Sequence, residues 1–227
     1  MHVSDLPVKT QDYLKLIWDI SERTGHHATL SEIATALDQR ASTTSEAIKR
    51  LAAQDLVYHQ PYGGISLTQT GRKYALAMAR RHRLLETFLV HSLGYQWDEV
   101  HEEADSLEHA VSEKFLARID DILGHPTHDP HGDPIPTATG DIEDLGVRHL
   151  GQLEPGAVAV VSRIHDGDPA LLRYLDQHGI VPGAQVSLGE RGFGGMQIVQ
   201  VAGNEVALAD IALTAITIAD GSGSGES

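Results

Sequence analysis

The 227-residue sequence contains no cysteine. That excludes a disulfide framework, a cysteine-based zinc cluster and thiol chemistry, so any metal must be held by histidine, aspartate and glutamate, a hard-to-borderline ligand set. No uncharged apolar run is long enough to cross a bilayer, and the opening MHVSDLPVKTQDYL lacks both an apolar stretch and a small-residue cleavage site. We therefore expect a soluble cytoplasmic protein with no export signal and no membrane partner. Positive charge is scarce: 17 Lys and Arg face 32 Asp and Glu, a formal charge of −15. Such a balance argues against a protein that coats nucleic acid non-specifically. The deficit is uneven, because residues 1–75 hold eight basic and eight acidic side chains and all of the imbalance lies downstream. The N-terminal part is thus electrically distinct from the rest, and the length is enough for two or three small domains.

Within residues 7–24, Tyr13, Leu14, Ile17, Trp18 and Ile20 recur at amphipathic helical spacing, with Thr10 as the expected N-cap. A short helix over residues 30–37, a tight turn over 38–41 and a helix over 42–54 follow. This order resembles a helix-turn-helix, with Ile33, Ala34 and Leu37 packed inward on Ala47, Ile48 and Leu51. Arg40, Thr43, Thr44, Glu46, Lys49 and Arg50 are then expected on the outer side. The β-rich LVYH and ISLT segments flank Pro61-Tyr62-Gly63-Gly64, predicting a hairpin wing over residues 58–68. A recognition helix that opens on Ser42 and Thr43 and closes on Lys49 and Arg50 offers donors to phosphates at both ends. Glu46, between them, is placed to accept from a cytosine amino group. Double-stranded DNA is the expected partner.

One long helix is expected from residue 70 to about 93, carrying His82 and Glu86 at i, i+4. Residues 101–113 read as a second, on which Asp105, Glu108 and His109 lie at i, i+3 and i+4 with His101 one turn earlier. Val100, Ala104, Leu107 and Val111 supply the apolar face beside them. Packed together, the two helices would converge five or six nitrogen and oxygen donors, which suits a divalent transition metal and which a solvated face does not need. A third helix over residues 112–123 completes the unit. The stretch 124–136, GHPTHDPHGDPIP, reads equally as a ligand-bearing loop or as a flexible surface loop. Residues 141–152 form the expected linker.

After Leu153 the pattern changes to short strands. AVAVVSRI and AQVSLGE flank a helix capped by Asp168, a hairpin turns at Ala202-Gly203-Asn204, and ITI closes a small barrel before a flexible tail over residues 221–227. The expected fold class is mainly α with β. Its domains are 1–75, a winged helix-turn-helix; 76–140, a helical metal-binding and dimerisation unit; and 153–220, the barrel.

His82-Arg-Leu-Leu-Glu86, then Val100-His-Glu-Glu-Ala-Asp-Ser-Leu-Glu108-His109, then Gly132-Asp-Pro-Ile-Pro136 stand in an order that resembles the diphtheria toxin repressor family of metal-dependent transcriptional regulators. The resemblance covers essentially the whole chain and implies that residues 153–219 are an SH3-like, FeoA-like barrel. It further implies a homodimer that binds a palindromic operator and represses metal-uptake genes. The iron-responsive branch of the family carries a methionine and a cysteine where this chain has Asp12 and Asp105. Carboxylates make the site harder, so the chain resembles the manganese-responsive branch, and Mn(II) is the expected cofactor with Fe(II) as the alternative. The primary site implied is Asp12, His82, Asp105, Glu108 and His109. Lys15 departs from some short manganese regulators, which have a second carboxylate there, and so speaks against a close-spaced pair of ions. A second site is expected from Glu86, Asp129, His131 and Asp168. His128 competes with Asp129, His101 serves either as ligand or as the group orienting a carboxylate, and Asp168 reads equally as a helix cap. In the metal-free protein the clustered carboxylates are expected to repel, leaving the first helix undocked until metal binds. A metalloenzyme and a winged-helix repressor of organic ligands are the rival classes; the first leaves the wing without a purpose, and we expect no enzyme.

Overall fold

The computed structural model describes residues 2–60 and 63–220. The expected tip of the wing, Pro61-Tyr62, and the expected flexible tail, 221–227, lie outside the described residues. Helix α1 (Val8–Thr24) starts two residues before Thr10, because Pro7 has a φ of −55° and its carbonyl accepts from the backbone N–H groups of Thr10 and Gln11. Helix α2 (Leu30–Ala36) is held by a capping box in which Thr29 and Glu32 satisfy each other's backbone donors. After a turn with Asp38 at φ +48°, α3 (Ala41–Ala53) lays Ala47, Ile48 and Leu51 on α1 and α2. Strands β1 (Val57–Gln60) and β2 (Gly64–Leu67) pair antiparallel, with Val57 opposite Leu67, and Ala28 adds one bridge to Ile65.

Helix α4 (Gln69–Leu93) begins against the base of this hairpin, where only glycine fits: a Cβ on Gly71 would lie 1.9 Å from the Leu56 carbonyl oxygen. It then runs through two cores. Tyr74, Ala75 and Met78 close the N-terminal one, while Leu84, Leu85 and Leu89 pack with Val100, Ala104, Leu116, Ile119 and Ile135 in the second. Helix α5 (Val100–Leu107) is shorter than expected. Ser112 accepts from the Phe115 backbone N–H to start α6 (Glu113–Leu123), so residues 108–112 form a tight turn and His109 follows α5 rather than lying within it.

The third core belongs to an antiparallel sheet of five strands in the order β6-β5-β4-β3-β7. These are β3 (Val158–Ile164), β4 (Gln185–Arg191), β5 (Gln197–Val201), β6 (Asn204–Leu208) and β7 (Ile216–Asp220). The expected barrel is not closed by pairing among the described residues, because β6 and β7 stand at opposite ends of the sheet. Helix α7 (Pro169–Gln177) follows β3, and α8 (Asp210–Ala215), which the sequence pattern did not announce, precedes β7. With eight α-helices and seven strands among the described residues, the architecture is mixed α/β rather than mainly α.

A buried ion network ties the three cores together. Arg163 of β3 donates to the Glu22 carbonyl on α1 at 3.0 Å and lies 3.3 Å from Asp133. Arg83 of α4 pairs with Glu22 at 2.6 Å and donates to the Pro134 carbonyl, and Arg23 of α1 pairs with Asp133 at 2.6 Å. Gly132, at φ +87°, lets the 129–134 loop press on β3, since a Cβ there would lie 2.2 Å from the Ser162 carbonyl oxygen. The Ile164 N–H donates to the His131 carbonyl across this contact.

Candidate metal centre and DNA-binding face

A cleft between α1, α4, α5 and the loop after β3 collects the acidic and imidazole side chains. On its outer side, His109 Nε2 lies 3.0 Å from Asp12 Oδ1 and 3.5 Å from Glu108 Oε1. Its tautomer follows from its neighbour. Gln11, buried on α1, uses its Nε2 to donate to the Leu6 carbonyl, so its Oε1 must accept the Nδ1–H of His109 at 3.0 Å. That leaves Nε2 as the nitrogen facing the two carboxylates, the orientation a ligating histidine needs.

Deeper in, His82 sits between two carboxylates, with Nδ1 2.8 Å from Glu108 Oε2 and 3.2 Å from Asp105, and Nε2 3.0 Å from Glu86 Oε1. The expectation grouped His82 with Asp12 and His109. Here its Nε2 belongs with Glu86, His101 and Asp166, whereas its Nδ1 meets Asp105 and Glu108. His101 Nδ1 is 2.9 Å from Asp166 Oδ2. His131 donates from Nε2 to the Trp97 carbonyl at 2.7 Å, which turns Nδ1 toward Glu86 Oε2 at 3.7 Å. Asp129 is grouped with these two and uses one oxygen to accept the N–H groups of His131 and Asp133.

Asp168 is not brought to the cluster. It caps α7, accepting from the N–H groups of Ala170 and Leu171, and the carboxylate that the C-terminal unit contributes is Asp166. The expected competitor His128 faces Glu143 instead.

The electrostatics describe a site built for positive charge. Burial would lower the imidazole of His101, but its contacts with Asp166 and Glu86 outweigh this and push it up to about 10. His131 is likewise buried and is raised to about 10 by Glu86 and Asp129. Against the cost of burial, His82, His101 and His131 hold the Glu86 carboxyl well below its ordinary range. Asp129 moves the other way, raised by burial and by the neighbouring Asp133 and Glu86 carboxylates. Both Glu86 oxygens and His131 Nδ1 are buried without a well-formed hydrogen bond, so the Glu86 carboxylate is balanced only by the imidazoles of His82 at 3.0 Å and His101 at 3.5 Å, a balance that a divalent ion held by the same atoms can replace. Nitrogen and oxygen donors with no sulfur, converging on orphaned atoms, fit a divalent ion of the harder kind.

Lys15 of α1 lies in the same cleft. Its Nζ donates to Asp105 at 2.8 Å and to both Glu108 oxygens at 2.7 and 2.8 Å. Burial would lower this amine, but Glu108 and Asp105 raise it above its ordinary value, so it is an ammonium. The clustered carboxylates therefore do not simply repel, as the sequence reading had it. Lys15 neutralises part of the charge and docks α1 on α5.

Outside this cleft, α3 exposes Ser42, Thr43, Glu46, Lys49 and Arg50, with Arg40 exposed just before it. Thr44 is a correction: it is 0% exposed and donates its hydroxyl toward the Arg40 carbonyl, so it faces the core and cannot touch a groove. Glu46 is engaged by Lys49 at 2.7 Å, an exposed pair that solvent screens and DNA can reorganise.

A winged helix coupled through α1 and α4 to a buried histidine-carboxylate centre defines a metal-responsive DNA-binding regulator. Three family descriptions match successive stretches: "Iron dependent repressor, N-terminal DNA binding domain" over residues 5–65, "Iron dependent repressor, metal binding and dimerisation domain" over 68–137, and "FeoA domain" over 148–219. The iron-dependent repressor IdeR of Mycobacterium tuberculosis is 35% identical over 209 residues, covering 87% of this chain and 90% of that protein. The diphtheria toxin repressor of Corynebacterium glutamicum is 29% identical over 196 residues, covering 82% of this chain and 86% of that protein. Among solved structures, a manganese-dependent transcriptional repressor in complex with manganese superposes with a TM-score of 0.87 at 46% identity, covering 93% of this chain and 99% of that one. The manganese regulator SloR superposes with a TM-score of 0.78 at 33% identity, covering 93% and 98%. The chain belongs to the iron-dependent repressor, or diphtheria toxin repressor, family of metal-dependent transcriptional repressors. It is not an enzyme of the metal-hydrolase type that the sequence alone left as a rival.

Proposed function

We propose that this chain is a cytoplasmic, manganese-responsive repressor that acts as a homodimer on a palindromic operator and silences metal-uptake genes. The observation that carries the choice of manganese is the donor set, which is nitrogen and oxygen throughout, with Asp12 and Asp105 where the iron-responsive branch has sulfur. The primary site is Asp12, Glu108 and His109, supported by Asp105. The second is Glu86, His82, His101 and Asp166, with His131 and Asp129 on the other Glu86 oxygen. A bound ion would add positive charge beside Asp12 and Glu86 to that which Lys15 and the imidazoles already supply. Asp12 lies on α1 of the DNA-binding unit, whereas Glu108 and His109 lie beyond it, so an ion held by all three would adjust how α1, and with it α3, sits on the helical unit. In a dimer that sets the spacing of two recognition helices.

Dimerisation is supported by Leu93, Phe115 and Ile122, large apolar side chains exposed on α4 and α6. Three separate cores support a division into three units near the expected limits of 1–75, 76–140 and 153–220, with Met78 still in the first core and Leu150 of the expected 141–152 linker already in the third. The last unit is read as a partly open SH3-like barrel. Operator fragments recovered by selection from random duplexes test the whole reading by fluorescence anisotropy. Dialysis against a chelator should abolish specific binding, and Mn(II) should restore it at lower free concentration than anaerobic Fe(II). Lys49→Ala or Arg50→Ala should weaken binding to all duplexes and flatten the salt slope by about 1. Binding that persists unchanged in chelator would overturn the metal switch, and preferential restoration by Fe(II) would overturn manganese.

A further inference from the structure

The four carboxylate and imidazole groups around Glu108 form two adjacent cation positions rather than one. Asp12, Glu108 and His109 make the first, and His82, Asp105 and Glu108 make the second; in each, the ligand atoms lie within 4.8 Å of one another. Glu108 is common to both, with Oε1 3.5 Å from His109 and Oε2 2.8 Å from His82. The second position already holds a cation belonging to the chain. Lys15 Nζ reaches Asp105 Oδ1 at 2.8 Å and Glu108 Oε1 and Oε2 at 2.7 and 2.8 Å, and it lies 3.3 Å from His82 Nδ1. An ammonium has three N–H groups, and three carboxylate oxygens surround this one.

We propose that Lys15 is a tethered cation that permanently takes the place of one divalent ion, so that the α1–α5 centre accepts a single metal, at Asp12, Glu108 and His109. The inference rests on the reading of those three residues as the primary site. Two consequences follow from the geometry. Because Lys15 stands on α1 and its partners on α5 and the turn after it, the DNA-binding unit stays docked without metal, and the metal adjusts this contact instead of creating it. Because the ammonium is fixed by covalent attachment, the position between His82 Nδ1, Asp105 and Glu108 cannot respond to the free concentration of any ion, whereas His82 Nε2 stays with the Glu86 site.

The test counts ions and footprints the lysine in the full-length chain. Lys15→Glu removes the ammonium and supplies a carboxylate to the same three residues. Equilibrium dialysis followed by elemental analysis should then give one more Mn(II) per chain than wild type. In wild type, acetic anhydride labelling read by mass spectrometry should leave Lys15 protected to the same extent with and without Mn(II). Lys15→Met should melt at a lower temperature than wild type in chelator. A folded Lys15→Glu chain with the wild-type count, or labelling of Lys15 that rises several-fold when Mn(II) is added, would overturn the proposal. Should Lys15→Glu fail to fold by circular dichroism, the footprint decides alone. Wild type that binds no Mn(II) at all would sink the primary-site reading, and the difference in count between variant and wild type would still report on Lys15.

Discussion

Gln11 provides the sharpest test of the primary site, because it touches no ion and yet determines which nitrogen of His109 faces the cleft. It is 3% exposed, its amide N–H donates to the Leu6 carbonyl at 2.7 Å, and its oxygen accepts from His109 Nδ1 at 3.0 Å. Gln11→Leu keeps the volume and removes the acceptor, so His109 loses the partner that orients its ring. Loss of such an orienting group typically weakens metal affinity by about 10–100-fold, or about 1.4–2.7 kcal/mol. The Leu6 carbonyl also loses its donor, which costs about 1–3 kcal/mol of stability if water does not replace it. The two effects separate in Gln11→Glu, which can still accept from His109 and adds negative charge but cannot donate to Leu6. Mn(II) affinity, measured by competition with a fluorescent chelator, should fall in Gln11→Leu and be kept or raised in Gln11→Glu, while both variants melt below wild type. A Gln11→Leu chain that binds Mn(II) as wild type does would refute the assigned tautomer and with it the role of His109.

The two aspartates after β3 should part company. Asp166→Ala should lower the affinity or the count of bound Mn(II), whereas Asp168→Asn should alter stability by only a few tenths of a kcal/mol and leave the count alone, because Asn caps a helix nearly as well as Asp. The reverse pattern in a dialysis experiment would return the ligand role to Asp168. Gly132→Ala should destabilise the chain by at least about 1–3 kcal/mol in urea unfolding, since it meets both a left-handed backbone and a carbonyl 2.2 Å away. A variant as stable as wild type would mean that the 129–134 loop does not rest on β3. For pH, His101 and His131 are raised from 6.5 to about 10 in the folded chain, so the stability they contribute is complete below about 6.5 and is lost as pH rises through about 10. In chelator, the unfolding free energy should therefore fall between pH 7 and 10, and stability that is flat or rising there would refute it.

Local pattern carried much of this protein. The i, i+4 pair His82 and Glu86 is set by helical repeat alone, as are the inward residues of α2 and α3, and turn residues between β-rich segments set the hairpin of the wing; Asp105 lies on α5, but Glu108 and His109 are placed by the turn that ends it. The absence of cysteine determined the chemistry of the ligands before any contact was known. Other features had no local signature. Thr44 sits at the edge of an amphipathic face, where periodicity cannot say whether a residue lies in or out, and packing on the Arg40 turn decided it. Asp166 and Asp168 are both acidic residues in one loop; backbone N–H groups claimed Asp168 as a cap, and the seating of β3 on the 129–134 loop brought Asp166 to His101. Arg163 and Glu22 are 141 residues apart, and nothing in the sequence near either one announces the other. Lys15 was visible as a departure from a pattern, but that its ammonium occupies a cation position depends on how α1 lies across α5. Residue type and spacing fix what a side chain can do; which groups it meets is fixed only when distant segments are packed, because contact energies of this kind are realised across the chain rather than along it.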